Sequence, residues 1–344
     1  SMRKIGNTLY ITLPDVYLSL DGENVVILNQ QKVIKRIPLH NLSSIVMFNY
    51  QGISPALMGK CMSQNITLSF LSPAGYFLGR VVGEYQGNVL LRKKQILVSE
   101  NNQQSLLIAK NMILAKVYNS KWILERAIRD YPLRIDIEKM RVIFKKLSEI
   151  LNSIEKVQSH DELRGLEGTA AKLYFSSFDD LILRQKEDFV FTTRTRRPPL
   201  NKVNALLSFV YTLLSHDCAS ALESVGLDCY IGFFHVDRPG RMSLALDLME
   251  EFRPCLADRF VLSLINRKEI DSCDFFDYEN GAVYLNDDGR KKVIQAWQLK
   301  KNEELTHPYL SEKMNWGLAP YLQAQLLSRY LRGDLDAYPP FMWK

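Results

Sequence analysis

LYITLPDVYLSLDGENVVILNQQKVIKRI, residues 9–37, decides the first part of the fold. β-Branched and aromatic residues recur in four short runs, at 9–13, 16–20, 25–28 and 33–37. Pro14-Asp15, Asp21-Gly22 and the polar corner 29–32 separate them, the punctuation of antiparallel strands. Runs at 45–48, 66–70 and 76–82 continue the pattern, with one helix over 54–63 between them. From residue 87 the period changes from two to 3.6. Helices are expected over 103–130, 135–154, 161–178, 201–224, 241–252, 254–266 and 288–301. Asp161 is the expected N-cap of the third, and Pro254 is expected to close the fifth. The expected fold is α+β: a small N-terminal antiparallel β domain (1–87), a linker (88–102) and a larger, mainly α-helical catalytic domain (103–344). No internal repeat at a fixed period interrupts this plan.

The 344 residues are 47% hydrophobic and 24% charged, the balance of a globular chain and not of a disordered one. A net charge of +6 is compatible with a polyanionic partner. The five cysteines (Cys61, Cys218, Cys229, Cys255 and Cys273) form no C-x-x-C pair, which argues against a zinc ribbon or a disulfide framework. A reducing, cytoplasmic setting is expected. Residues 1–14 lack the apolar core of a signal peptide, and the apolar run at 203–214 is too short and interrupted to span a bilayer.

The chemistry concentrates in GFFHVDRPGRMSLALDLMEEFRP, residues 232–254. His235 follows an apolar run, where a histidine is either a hydrogen-bonded core residue or a ligand. The turn after it carries Arg238 and Arg241, and Arg253 follows the next helix. That helix places Asp247 three residues before Glu250 and four before Glu251, so the carboxylates share one side. Two like charges at that spacing cost a few tenths of a kcal/mol, a repulsion that a divalent cation reverses. Glu167 lies in LRGLEGTAAKLYF (163–175) between Gly165 and Gly168. Each glycine costs a helix about 1 kcal/mol, which is explained if another backbone or a ligand comes close. The alternative is close helix packing with Glu167 in solvent. Oxygen donors with one imidazole suit Mg²⁺ or Mn²⁺ better than a structural zinc. The loop TTRTRRPP (192–199) brings Arg194, Arg196 and Arg197 together, either solvated or against a polyanion. No Walker loop, dinucleotide fingerprint, G-x-S-x-G elbow or H-E-x-x-H helix is present.

LRGLEGTAAKLYF, RRPPLNKVNALLSFVYTLL (196–214) and GFFHVDRPGRMSLALDLMEEFRP, in that order, resemble the universal CRISPR-associated endonuclease/integrase family, close to its subtype I-C branch. The resemblance covers nearly the whole chain. It implies a divalent metal held by Glu167 (G-x-E-G), His235 (G-F-x-H) and Glu250 (the last acid of D-x-x-[DE]), with Asp247 supporting the catalytic site. It places Arg238 and Arg253 among phosphate-contacting positions. It further implies prespacer insertion into a CRISPR array by attack of a 3′-hydroxyl on a phosphodiester. The partners it implies are double-stranded DNA, a second copy of the chain paired through the β domain, and a small ferredoxin-like protein that completes a heterohexamer. A nonspecific metal-dependent nuclease or branched-DNA resolvase, and a catalytically silent DNA-binding scaffold, remain as alternatives.

Overall fold

The computed structural model describes residues 7–73, 77–84 and 89–344. The chain divides into two compact units, one of residues 1–86 with 285–295 and the other of residues 87–284 with 296–344. The expected order therefore holds: a β-rich unit first, a larger helical unit second. The boundary expected at 87/88 lies outside the described residues.

In the first unit, β2 (Val16–Asp21), β3 (Asn24–Asn29) and β4 (Lys32–Pro38) follow β1 (Asn7–Ile11) and form a three-stranded antiparallel sheet. Gln30 and Gln31 both take positive φ in the β3–β4 turn, as a two-residue hairpin of this hand requires. The other sheet is ordered β1-β5-β6-β7, with β5 at Leu42–Met47, β6 at Thr67–Leu71 and β7 at Phe77–Val81. Its β1–β5 and β5–β6 pairs are parallel, so each needs a crossover. The β2–β4 meander provides the first and α1 (Pro55–Ser63) the second. Val16, Leu18, Leu39, Ile45, Leu57 and Cys61 form the buried centre of this unit.

The second unit is built around α3 (Asn102–Asp130), a 29-residue helix that packs against α4 (Ile137–Ile154), α5 (His160–Ser176) and α7 (Ser243–Phe252). Helix α6 (Lys202–Ser224) is long and apolar enough to cross a membrane, yet it is mostly buried as a core helix. Ser159, not Asp161, caps α5: its hydroxyl accepts from the Glu162 amide at 3.2 Å. Pro254 does not end the helical path. Residues Arg253–Asp258 form a π-helical turn that runs directly into α8 (Arg259–Asn266), so the amide that proline lacks falls inside a locally widened turn. The segment expected as a linker holds α2 (Val89–Glu100). Its buried face includes Gln95, which breaks the apolar stripe and instead donates to the carbonyls of Asp228 (2.7 Å) and Ile231 (3.0 Å). Helices α9 (Asp287–Lys301) and α10 (Ala319–Arg332) follow.

Residues 338–343 are fixed to the helices by buried polar groups. Asn119 on α3 donates to the carbonyls of Glu251 (2.8 Å) and Phe341 (2.9 Å) and accepts from the Trp343 amide (2.9 Å). The Glu251 carboxylate accepts from the Phe341 amide at 2.8 Å, the Tyr338 hydroxyl at 2.5 Å and Gln323 at 3.3 Å. Burial pushes the Glu251 carboxyl up to about 8, against the downward pull of those three donors. The folded state therefore holds a proton that the unfolded state has released above about pH 4.5. The stability contributed by this one group is full below that pH and falls by roughly 1.4 kcal/mol per pH unit as the pH rises toward 8. Glu251→Gln should flatten this slope between pH 5 and 8 in urea melts; an unchanged slope would assign the titration to another group.

Candidate active site

The loop carrying His235 is held between two helices through its peptide groups. From α7, the fully buried carboxylate of Asp247 accepts three consecutive amides, those of Phe233 (2.7 Å), Phe234 (3.0 Å) and His235 (2.8 Å). From α5, His160 Nε2 lies 2.9 Å from the Phe233 carbonyl, and Arg164 donates to the Phe234 carbonyl at 3.0 Å. Gly232 makes the approach possible. A Cβ there would stand 2.8 Å from the His235 carbonyl oxygen and 2.8 Å from the Ser243 side chain, inside ordinary contact. Asp247 Oδ1 also meets His235 Nδ1 at 2.6 Å. That contact orients the imidazole so that Nε2 faces Glu250, 3.9 Å from its Oε1.

The two glutamates converge on one cationic nitrogen. The Lys116 ammonium, from the middle of α3, lies 2.6 Å from Glu167 Oε1 on α5 and 2.5 Å from Glu250 Oε2 on α7. Arg253 completes the charge balance, with Nη2 3.2 Å from Glu250 Oε1. Burial works to raise the Glu250 carboxyl, but Arg253, Lys116 and His235 outweigh it and hold it at about 2. Glu250 is thus held as an anion against a positive centre. Behind them, Asp258 accepts the hydroxyls of Tyr174 (2.8 Å) and Tyr211 (2.5 Å), tying α5 and α6 to the π-helical turn.

Glu167, His235, Asp247 and Glu250 lie near one another, with the Asp247 carboxylate engaged by the His235 loop. Of the two explanations for the glycines beside Glu167, close approach of another backbone is not the one the structure supports. Among the described residues, nothing beyond their own helix lies within 4 Å of a Cβ at Gly165 or Gly168, and both are exposed, so no neighbouring backbone requires them. The arginines separate into three groups. Arg253 is committed to Glu250. Arg194 turns inward to Asn204 (2.8 Å) and Ser208 (3.1 Å) and, with Arg196, borders a narrow cavity of about 20 Å³ that Lys116 and Glu167 also line. Arg197 and Arg238 are exposed, and Arg241 is half-buried. Sequence reading misses Lys116, His160, Arg164 and the reason for Gly232.

Two carboxylates and an imidazole around a place already filled by positive charge form a donor set that fits a hard divalent ion.

The sequence profile of the family described as CRISPR associated protein Cas1 matches residues 9–299. The chain is 49% identical over 347 aligned residues to the CRISPR-associated endonuclease Cas1 2 of Rhodospirillum rubrum, covering 100% of each chain. It is 47% identical over 343 residues to the CRISPR-associated endonuclease Cas1 1 of Chlorobaculum tepidum, again covering 100% of each. Among solved structures, a casposase bound to integration product superposes with a TM-score of 0.83 at 25% identity, covering 98% of this chain and 94% of that one. A CAS1 protein from Thermotoga maritima shares the fold with a TM-score of 0.82 at 23% identity, covering 96% and 99%.

Proposed function

This chain belongs to the Cas1 family of CRISPR-associated proteins, and from that membership we propose that it is a metal-dependent DNA endonuclease and integrase acting in spacer acquisition. The observation that carries the reading is the meeting of Glu167 and Glu250, from different helices, on one positive charge beside His235. Glu167, His235 through Nε2, and Glu250 would hold Mg²⁺ or Mn²⁺. When bound, the ion supplies Lewis-acid activation of a phosphoryl oxygen and of the attacking hydroxyl. Asp247 keeps the imidazole aimed by engaging Nδ1. Arg253 keeps Glu250 ionised. Arg196, Arg197, Arg238 and Arg241 offer forks for phosphate oxygens near the chain turns that build the site.

The reaction proposed is an exchange. A DNA 3′-hydroxyl attacks phosphorus, a new phosphodiester forms, and the strand's former 3′-oxygen leaves with a proton. One phosphodiester replaces another, so no nucleoside triphosphate is consumed. Double-stranded DNA, a second copy of the chain and a small ferredoxin-like protein are the proposed partners. The test combines the protein, that partner, Mn²⁺, labelled duplex and a supercoiled plasmid bearing CRISPR repeats. Covalent transfer of label to plasmid is expected. Fragments without transfer would reassign the protein as a nuclease, and DNA binding without any product would leave a scaffold.

Lys116 supplies an independent check on the metal. A cation between the two carboxylates competes with any ion placed there. Lys116→Met should tighten Mn²⁺ binding by about tenfold or more, worth about 1.4 kcal/mol, in calorimetric titration without DNA. Equal or weaker binding would place the ion elsewhere.

A further inference from the structure

We infer that a cleft formed by the C-terminal part of α3, the turn that follows it, the 181–184 segment and α8 is a second binding site, for the phosphates of a DNA strand. The inference rests on the proposed action on DNA but concerns residues outside the metal centre. The cleft has a volume of about 580 Å³, within the range of ligand sites. Five arginines line it, namely Arg126, Arg134, Arg184, Arg259 and Arg267, and no lysine does. Its one carboxylate, Asp130, is already taken by Arg129, with contacts of 2.7 and 3.2 Å. Among the described residues, none of the five arginines makes an ion pair. Five cations thus converge on one concavity that holds a single carboxylate, Asp130, whose charge is shared by Arg129, Arg126 and Arg259.

The arginines are also built in. Arg126 and Arg259 both lie on the Trp343 ring, with guanidinium carbons 3.8 and 4.3 Å from its centroid. Stacking sets the plane of each fork and leaves N–H edges for acceptors. One Arg259 N–H reaches the Cys255 carbonyl, at 3.4 Å. Burial, and after it the neighbouring Arg126 charge, works against the Arg259 cation, a cost that a bound anion removes. The ligand chemistry follows from the lining. Guanidinium forks match phosphate oxygens in pairs. Between them the floor is apolar, with Ile123, Leu181 and Leu262. Tyr131 stands 45% exposed at the cleft, offering a ring to a base. Basic lining with an aromatic face is how proteins track a single strand; an acidic peptide has no use for the ring. Lys116 precedes Arg126 by ten residues on α3, about 15 Å along the axis. A strand leaving the metal centre covers that distance in a few nucleotides.

The test replaces the three exposed arginines together, as R134Q/R184Q/R267Q, in the full chain. The probe is a fluorescein-labelled duplex with single-stranded 3′ ends. Binding should weaken by about tenfold or more near 100 mM salt, and the salt slope should become shallower by about two to three. Mn²⁺ binding should stay as in the wild type, which also reports that the fold is intact. The lysine variants at the same positions should keep the salt slope and lose part of the affinity. Unchanged DNA affinity and slope in the glutamine variant, with wild type binding normally, would overturn the cleft and leave the proposed function standing. Loss of binding to polyglutamate with DNA binding unaffected would overturn it in favour of an acidic protein partner. Failure of the wild type to bind DNA would bring down both.

Discussion

Asp247→Ala is expected to lose about 3–5 kcal/mol of stability and to abolish DNA strand cleavage, although Asp247 has no contact with the glutamates. Its carboxylate accepts three backbone amides and the imidazole Nδ1, and it is completely buried. Alanine leaves those donors without an acceptor in a place water does not reach, at about 1–3 kcal/mol for each donor left unsatisfied. The loop is then held only from the α5 side, by His160 and Arg164, and His235 loses its aim. Urea denaturation gives the first number and a nicking assay the second. Asp247→Asn separates the two effects. One amide oxygen can still accept from the loop, while the Nδ1 contact is lost, so stability should recover further than activity. A stable, active alanine variant would show that the loop is shaped by something other than this carboxylate.

Glu250→Gln should reduce cleavage by about 10³-fold or more, equivalent to about 4 kcal/mol of transition-state stabilisation, while DNA binding stays near wild type. The substitution preserves volume in a position with 4% side-chain exposure and removes only the charge. That charge is what Lys116, Arg253 and His235 surround, and what any divalent ion would need. Glu250→Asp keeps the charge on a shorter arm and should retain measurable cleavage. If the glutamine variant cleaves within about tenfold of wild type, Glu250 is not a ligand and the proposed mechanism fails at its centre.

Much of this is legible in the amino-acid order alone. The strand runs of the first unit carry their own punctuation. The acids at 247 and 250 fall on one helix at a spacing that puts them side by side, and His235 sits one short turn upstream. What stays hidden depends on distance along the chain. Lys116 is one lysine in a long helix, and nothing near it signals that two glutamates, 51 and 134 positions later, will meet its ammonium. Nothing beside Gly232 in the sequence signals that Ser243 and the His235 carbonyl press on it. At Gly165 and Gly168 the reverse holds, since among the described residues no backbone from outside the helix presses on either. Helix α2 reads as a linker because its buried Gln95 satisfies carbonyls more than 130 residues away, a partner that periodicity does not register. Pro254 normally stops a helix, and only the π-helical turn lets the path continue.

Glu250 and Glu251 are neighbours that look in opposite directions, one toward the positive centre and one toward residues 338–343. Position 338 thereby inherits a restraint from chemistry it never touches. Among related chains, a phenylalanine at 338 ought to travel with a side chain at 251 that needs one hydrogen-bond partner fewer, as a linked exchange and not as two independent drifts. A library randomised at 251 together with 338–343 and screened only for nicking would then recover its changes as matched pairs across the two segments.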